Sequence, residues 1–119
     1  MTRERSAFAL GVEALWETPA EGLRRQLLSH GDDLMIVRVD FDAGAVGAVH
    51  QHVHRQATYV AAGRFEVRIG DERCVLESGD SFFAAENVPH GVRALSAGTL
   101  IDAFTPARLD FLPAPPTEP

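Results

Sequence analysis

The chain has no lysine: all eleven of its basic residues are arginine. That removes Schiff-base catalysis and the lysine of a phosphate-binding loop together. Cysteine is nearly absent too, since Cys74 stands alone, so an intrachain disulfide and a cysteine-rich zinc centre are both excluded. Cys74 itself is expected as a small buried hydrophobe on a strand. No apolar run approaches the roughly 18 residues that a membrane-crossing helix requires, and no membrane partner is expected. Near the N-terminus, Arg3 and Arg5 precede a short apolar stretch from Ala7 to Val12 that Glu13 interrupts, which argues against a secretory leader and for a cytoplasmic address. Positive charge is also scarce. Seventeen acids against eleven bases leave a net charge of −6, the wrong sign for a surface that neutralises phosphates, so nucleic acid is not an expected partner.

What is present is the composition of an ordinary globule, 45% apolar and 24% charged over 119 residues, which predicts a single domain. From Leu34 to Asp42 apolar and polar residues alternate, with Val37, Val39 and Phe41 on one face, the period of a half-buried strand. Phe65, Val67 and Ile69 repeat it, and Gly70-Asp71-Glu72 turns the chain into Arg73 to Leu76 as a hairpin. Further short apolar stretches run from Ser81 to Ala85, Val92 to Leu95 and Thr99 to Phe104, separated by turn formers. This spacing predicts an all-β sandwich or barrel. One segment carries a competing signal: Thr18 could cap a helix with Pro19 at its first position and Glu21 behind it. Gly22 and the need for a sheet partner favour a strand there. After Leu112, Pro113, Pro115 and Pro116 preclude a ladder, so residues 113–119 are expected as an extended tail.

Three of the five histidines fall at His50, His52 and His54. In an extended strand residues two apart share a face, so His50 and His52 can aim both imidazoles at one point inside a barrel, and Gln56 keeps their parity if no turn intervenes. A turn after the strand would point His54 elsewhere. His90, which follows Asn87-Val88-Pro89, could complete a site of three nitrogens and one amide oxygen.

The spacing itself can be compared with known patterns. Gly44, five residues, His50-Gln51-His52, three residues, Gln56, six residues and Gly63 resemble the first motif of the cupin superfamily, G(X)5HXH(X)3,4E(X)6G, with Gln56 in place of the glutamate. Fifteen residues later, Gly79 and His90 match the second motif, G(X)5PXG(X)2H(X)3N, while Ala85, Asn87 and Ala94 depart from it. Trp16, the run Glu21 to Leu28, Gly31 to Met35, His50 to Gln56, Asn87 to Val92 and the ending Asp102 to Leu112 are together similar to the small single-domain cupins of the KdgF pectin-degradation family. The resemblance implies a double-stranded β-helix, or jelly roll, over about residues 16–112. It implies a divalent metal held by His50, His52, Gln56 and His90, with Asp102, Phe104 and Arg108 lining the substrate side. It further implies linearisation of 4,5-unsaturated uronates to 5-keto-4-deoxyuronate. Where the family usually has glutamate, Arg55 adds a positive charge beside the site and is a candidate substrate contact.

Elementary chemistry supports these expectations. Three neutral imidazoles and an amide leave a bound dication with its full charge, which favours a small anionic substrate. The period of Thr99 to Phe104 puts Leu100, Asp102 and Phe104 on one face. Burial there would raise the pKa of Asp102 and a metal would lower it, a suitable balance for a proton shuttle. Arg108 has the planar fork for a carboxylate, although a salt bridge to Asp110 is its simpler role. Tyr59, the only tyrosine, is a candidate for core packing or for the pocket wall. The metal is expected to be nickel, zinc, manganese or iron, since nitrogen and amide-oxygen ligands suit several first-row ions. Besides the non-redox isomerase, an Fe(II)-dependent dioxygenase and a non-catalytic ligand-binding module remain open. A homodimer with strand exchange or edge pairing is expected.

Overall fold

The computed structural model describes residues 7–112, so the proline-rich tail lies outside the described residues. It contains ten strands: β1 (Trp16–Ala20), β2 (Leu23–His30), β3 (Met35–Phe41), β4 (Val46–His50), β5 (Arg55–Ala62), β6 (Arg64–Ile69), β7 (Glu72–Glu77), β8 (Ser81–Ala84), β9 (His90–Ala94) and β10 (Gly98–Thr105), followed by a 3-10 turn at Leu109–Phe111. Every pairing is antiparallel. The strands form a six-stranded sheet in the order β1-β2-β3-β10-β5-β8 and a four-stranded sheet in the order β4-β9-β6-β7, the two layers of a jelly roll.

Strand alternation decides which side chains meet between the layers. On β3, Met35, Val37, Val39 and Phe41 are buried, as the sequence period predicts. β10 lies between β3 and β5 and turns Leu100, Asp102 and Phe104 to the same interior. Phe65 and Val67 of β6 and Ala94 of β9 complete one apolar cluster. Phe41 meets Phe65 edge to face across the layers, with centroids 5.1 Å apart. Full burial of each large apolar side chain contributes roughly 1.5–3 kcal/mol.

The helix signal at Thr18 is overridden by pairing. Leu23, Arg25 and Leu27 stand opposite Phe41, Val39 and Val37, and Gly22 turns the chain at φ +77° between β1 and β2. Pro19, which lacks a donor, is tolerated because β1 is an edge strand. Gly63 makes the link from β5 to β6 at φ +85°, and a Cβ there would lie 2.6 Å from the Ala97 carbonyl oxygen; only glycine fits. Cys74 is exposed rather than buried, because β7 is the outer strand of its sheet.

Candidate metal centre

β4 and β9 pair with His50 directly opposite His90, which brings their ring centroids within 4.5 Å. β4 ends at His50, and His52 lies beyond it, in the connection to β5. A continuous strand through both histidines is therefore not what aligns them. In that connection, just before the bend at Val53-His54, His52 lies 5.3 Å from His50 and 4.8 Å from His90, centroid to centroid. One nitrogen from each of the three rings lies within 4.8 Å of the others.

Each ring is oriented in the same way. The Nδ1 atoms of His50, His52 and His90 lie 2.8 Å from the carbonyl oxygens of Ala48, His54 and Val88. A carbonyl only accepts, so each Nδ1 carries the hydrogen and each Nε2 presents a lone pair. Such backbone anchoring is the usual support of a metal-binding imidazole. His90 Nε2 is buried and has no hydrogen-bond partner among the described residues.

Gln56 supplies the fourth donor. It is buried on β5, and its amide nitrogen donates to Thr58 Oγ1 at 2.9 Å and Asp102 Oδ1 at 3.3 Å. Those bonds fix the amide, leaving Oε1 3.2 Å from His52 Nε2. Two lone-pair atoms then face each other, an arrangement that repels unless a cation sits between them. The donor set of three imidazoles and an amide oxygen fits a divalent first-row ion. Burial lowers the pKa of His52 and of His90; the positive charge of Arg108 and the neighbouring imidazoles add to it, against their backbone hydrogen bonds. Both rings are thereby kept neutral, as ligation requires.

Asp102 closes the network. Thr58 Oγ1 donates to its Oδ1 at 2.6 Å, so both side-chain bonds to this carboxyl end on one oxygen. Burial raises its pKa to about 6, against the opposing pull of the Thr58 and Gln56 hydrogen bonds and of Arg108. Arg108 is buried, with its guanidinium 5.0 Å over Phe104 and 4.0 Å over Phe111. Its Nε and Nη2 donate to Asp110 at 3.0 and 2.8 Å, which leaves Nη1 available. His50, Gln56, His90, Asp102, Phe104 and Arg108 line one cavity of ≈ 260 Å³.

Other expected contacts are not brought there. Because Gln56 and Thr58 point inward on β5, Arg55 and Tyr59 point outward and are exposed. The Arg55 guanidinium lies 5.4 Å over Phe83 on the outer face, so neither residue reaches the cavity. His54 stands aside from the three converging rings, with its Nε2 3.9 Å from Asp110. Sequence reasoning passed over Thr58, which shares the parity of Gln56, and Arg25, which lines the same cavity. The spacing of Leu23, Arg25 and Leu27 carried the second signal, beneath a helix-start pattern.

A family model described as Cupin domain matches residues 37–104. Over 107 residues the chain is 47% identical to the pectin degradation protein KdgF of Dickeya dadantii (strain 3937), covering 88% of this chain and 97% of that protein. Among solved structures, KdgF from Halomonas sp. is 41% identical with a TM-score of 0.86, over 91% of this chain and 100% of that one. An RmlC-like cupin from Shewanella frigidimarina NCIMB 400 is 42% identical with a TM-score of 0.88, over 91% of this chain and 97% of that one. Since the matching model runs from β3 to β10 and its KdgF relatives are covered almost end to end, the chain belongs to the cupin family.

Proposed function

We propose that the protein opens the ring of a 4,5-unsaturated uronate, giving the linear 5-keto-4-deoxy acid without any change of redox state. The observation that carries this reading is the linked pair of Gln56 and Asp102: one amide aims its oxygen at three converging imidazoles and its nitrogen at a buried carboxyl. The similarity to a protein of pectin degradation supports the substrate class. A divalent ion held by His50, His52, His90 and Gln56 would supply Lewis-acid polarisation of the substrate oxygens.

The remaining steps belong to the chain's own side chains. Arg108 offers Nη1 to the uronate carboxylate, with its other nitrogens held by Asp110. Phe104 gives the ring an apolar wall beside the histidines. With a pKa of about 6, Asp102 exchanges a proton readily near neutrality. It takes the proton of the anomeric hydroxyl as the bond from that carbon to the ring oxygen breaks, which leaves an aldehyde and an enolate. It then returns that proton to C4, and the enolate becomes the ketone. Atoms and electrons balance within the substrate, so no oxidant or water is consumed.

The test is to add metal-loaded protein to 4,5-unsaturated galacturonate under nitrogen and follow the ultraviolet band of the conjugated double bond. The band should disappear, and the same rate should hold in air with no oxygen uptake. A persistent band would remove the isomerase reading, and disappearance that depends on oxygen would replace it with an oxidative one.

A further inference from the structure

Arg25 is an arginine on the buried face of a strand. It stands opposite Val39 on β3, between Leu23 and Leu27, which stand opposite Phe41 and Val37. Its neighbour Gln26 serves the other face, where its amide donates to the carbonyls of Gly11 and Ala14 at 2.9 and 3.0 Å. Alternation therefore sends Arg25 inward, and it lines the cavity that also contains His50, His90, Asp102 and Arg108. Its guanidinium lies 4.0 Å over the ring of Phe111, the same distance at which Arg108 lies over that ring. The two arginines thus share one aromatic platform, which holds their planes without using their donors.

The ion pairs leave each guanidinium incomplete. Glu17 accepts from Arg25 Nη2 at 3.3 Å, while Arg25 Nε is fully buried and meets no hydrogen-bond partner among the described residues. A buried, unanswered donor on a cationic group is costly, and an opposite charge beside the group offsets that cost. An anion entering this cavity between the arginines would do so, and none of the apolar neighbours of Arg25 on β2 and β3 could.

We infer that Arg25 is a second carboxylate-binding arginine of this site, donating from Nη1, which the ion pair of Nη2 with Glu17 leaves unused, to the acid group that Arg108 meets through its own Nη1, on the reading that the ligand is the uronate proposed above. Two donors from two directions fix the acid group in orientation as well as in place. A carboxylate so held keeps the sugar ring in one pose beside Asp102.

The experiment compares wild-type protein, R25M and R25Q, all metal-loaded. R25M keeps an apolar stem against Phe111 without donors, and R25Q guards against a folding defect in R25M. Turnover of 4,5-unsaturated galacturonate is measured, together with calorimetric binding of galacturonate and of its uncharged parent, galactose. KM should rise about tenfold or more, as expected for a lost charged hydrogen bond, with kcat changed much less. The preference for galacturonate over galactose should fall by a similar factor, while metal content and melting temperature stay as in wild type. An unchanged KM in both variants, or an equal loss of galacturonate and galactose binding, overturns the role of Arg25 and leaves the reaction standing. Wild-type protein that neither binds galacturonate nor consumes the unsaturated sugar overturns the reaction, and Arg25 with it.

Discussion

Asp102 acts at two distances. Through Thr58 and directly, it orients the Gln56 amide; through its own buried carboxyl it offers the proposed proton relay. D102N separates the two, because an asparagine oxygen still accepts from Thr58 and from Gln56. The variant should keep its metal, measured by elemental analysis, and lose at least about a hundredfold in turnover, the scale of a positioned acid-base group. It should also change the pH dependence of stability in the metal-free protein. The carboxyl pKa is raised by burial from 3.8 to about 6, so between these values the folded state binds the proton more tightly than the unfolded one, and stability falls as pH rises through that window. The two-unit difference corresponds to a cost on the order of 3 kcal/mol above pH 6. Urea midpoints of D102N should therefore exceed those of wild type at pH 7 and converge with them near pH 4. A constant offset would mean that Asp102 is not the titrating group. At this scale the sequence was informative wherever a strand ran straight: Asp102 and Phe104 lie on the face that alternation predicts. Gln56 likewise keeps the inward parity of the histidines, and the same alternation turns Arg55 and Tyr59, offered as substrate contacts on other grounds, to the outer face of β5.

Elements, rather than single side chains, decide whether the three imidazoles converge. His50 and His90 meet because the pairing of β4 with β9 shifts register between Gly47 and His50 and so sets the two histidines opposite each other, and that register depends on tight links elsewhere in the jelly roll. Gly63 and Gly44 test this, since both sit at nearly the same positive φ, +85° and +84°. A Cβ at Gly44 meets nothing within 4 Å, whereas one at Gly63 meets the backbone of Ala97 and Gly98. G44A should cost about 1 kcal/mol, the dihedral penalty alone. G63A should cost roughly 2–4 kcal/mol, because backbone must also move, and chemical denaturation of the two variants measures the gap. Equal losses would show that the link at Gly63 can relax. Both glycines were visible in the sequence as fixed points of the motif. β1 and β2 were harder to see, since Thr18, Pro19 and Glu21 imitate a helix start and only pairing with β3 settles the conflict. That local ambiguity also hid the inward direction of Arg25.

For the whole molecule, the candidate centre joins the two layers. Gln56 belongs to the six-stranded sheet, His50 and His90 to the four-stranded one, and His52 to the connection between them. An ion held by all four would bind the folded chain and not the unfolded one, adding RT ln(1 + [L]/Kd), about 2.7 kcal/mol at a hundredfold excess over Kd. For a chain of this size that corresponds to a rise of roughly 10 °C in melting temperature on adding metal to chelator-stripped protein at pH 7.5. The rise should shrink with acid. An imidazole must be neutral to ligate, and burial holds the pKa of His52 and His90 below the usual 6.5. Metal stabilisation should therefore persist through pH 6.5 and vanish only further down, as these two rings take up protons. Paired calorimetric scans of stripped and reloaded protein, stepped from pH 7.5 to pH 5, measure that closing difference. H90A should show almost none of it at any pH, because its cavity keeps two imidazoles and loses the residue that ties β9 to the centre. A reloaded H90A that gains as much as wild type would mean that metal stabilises the protein from some other place.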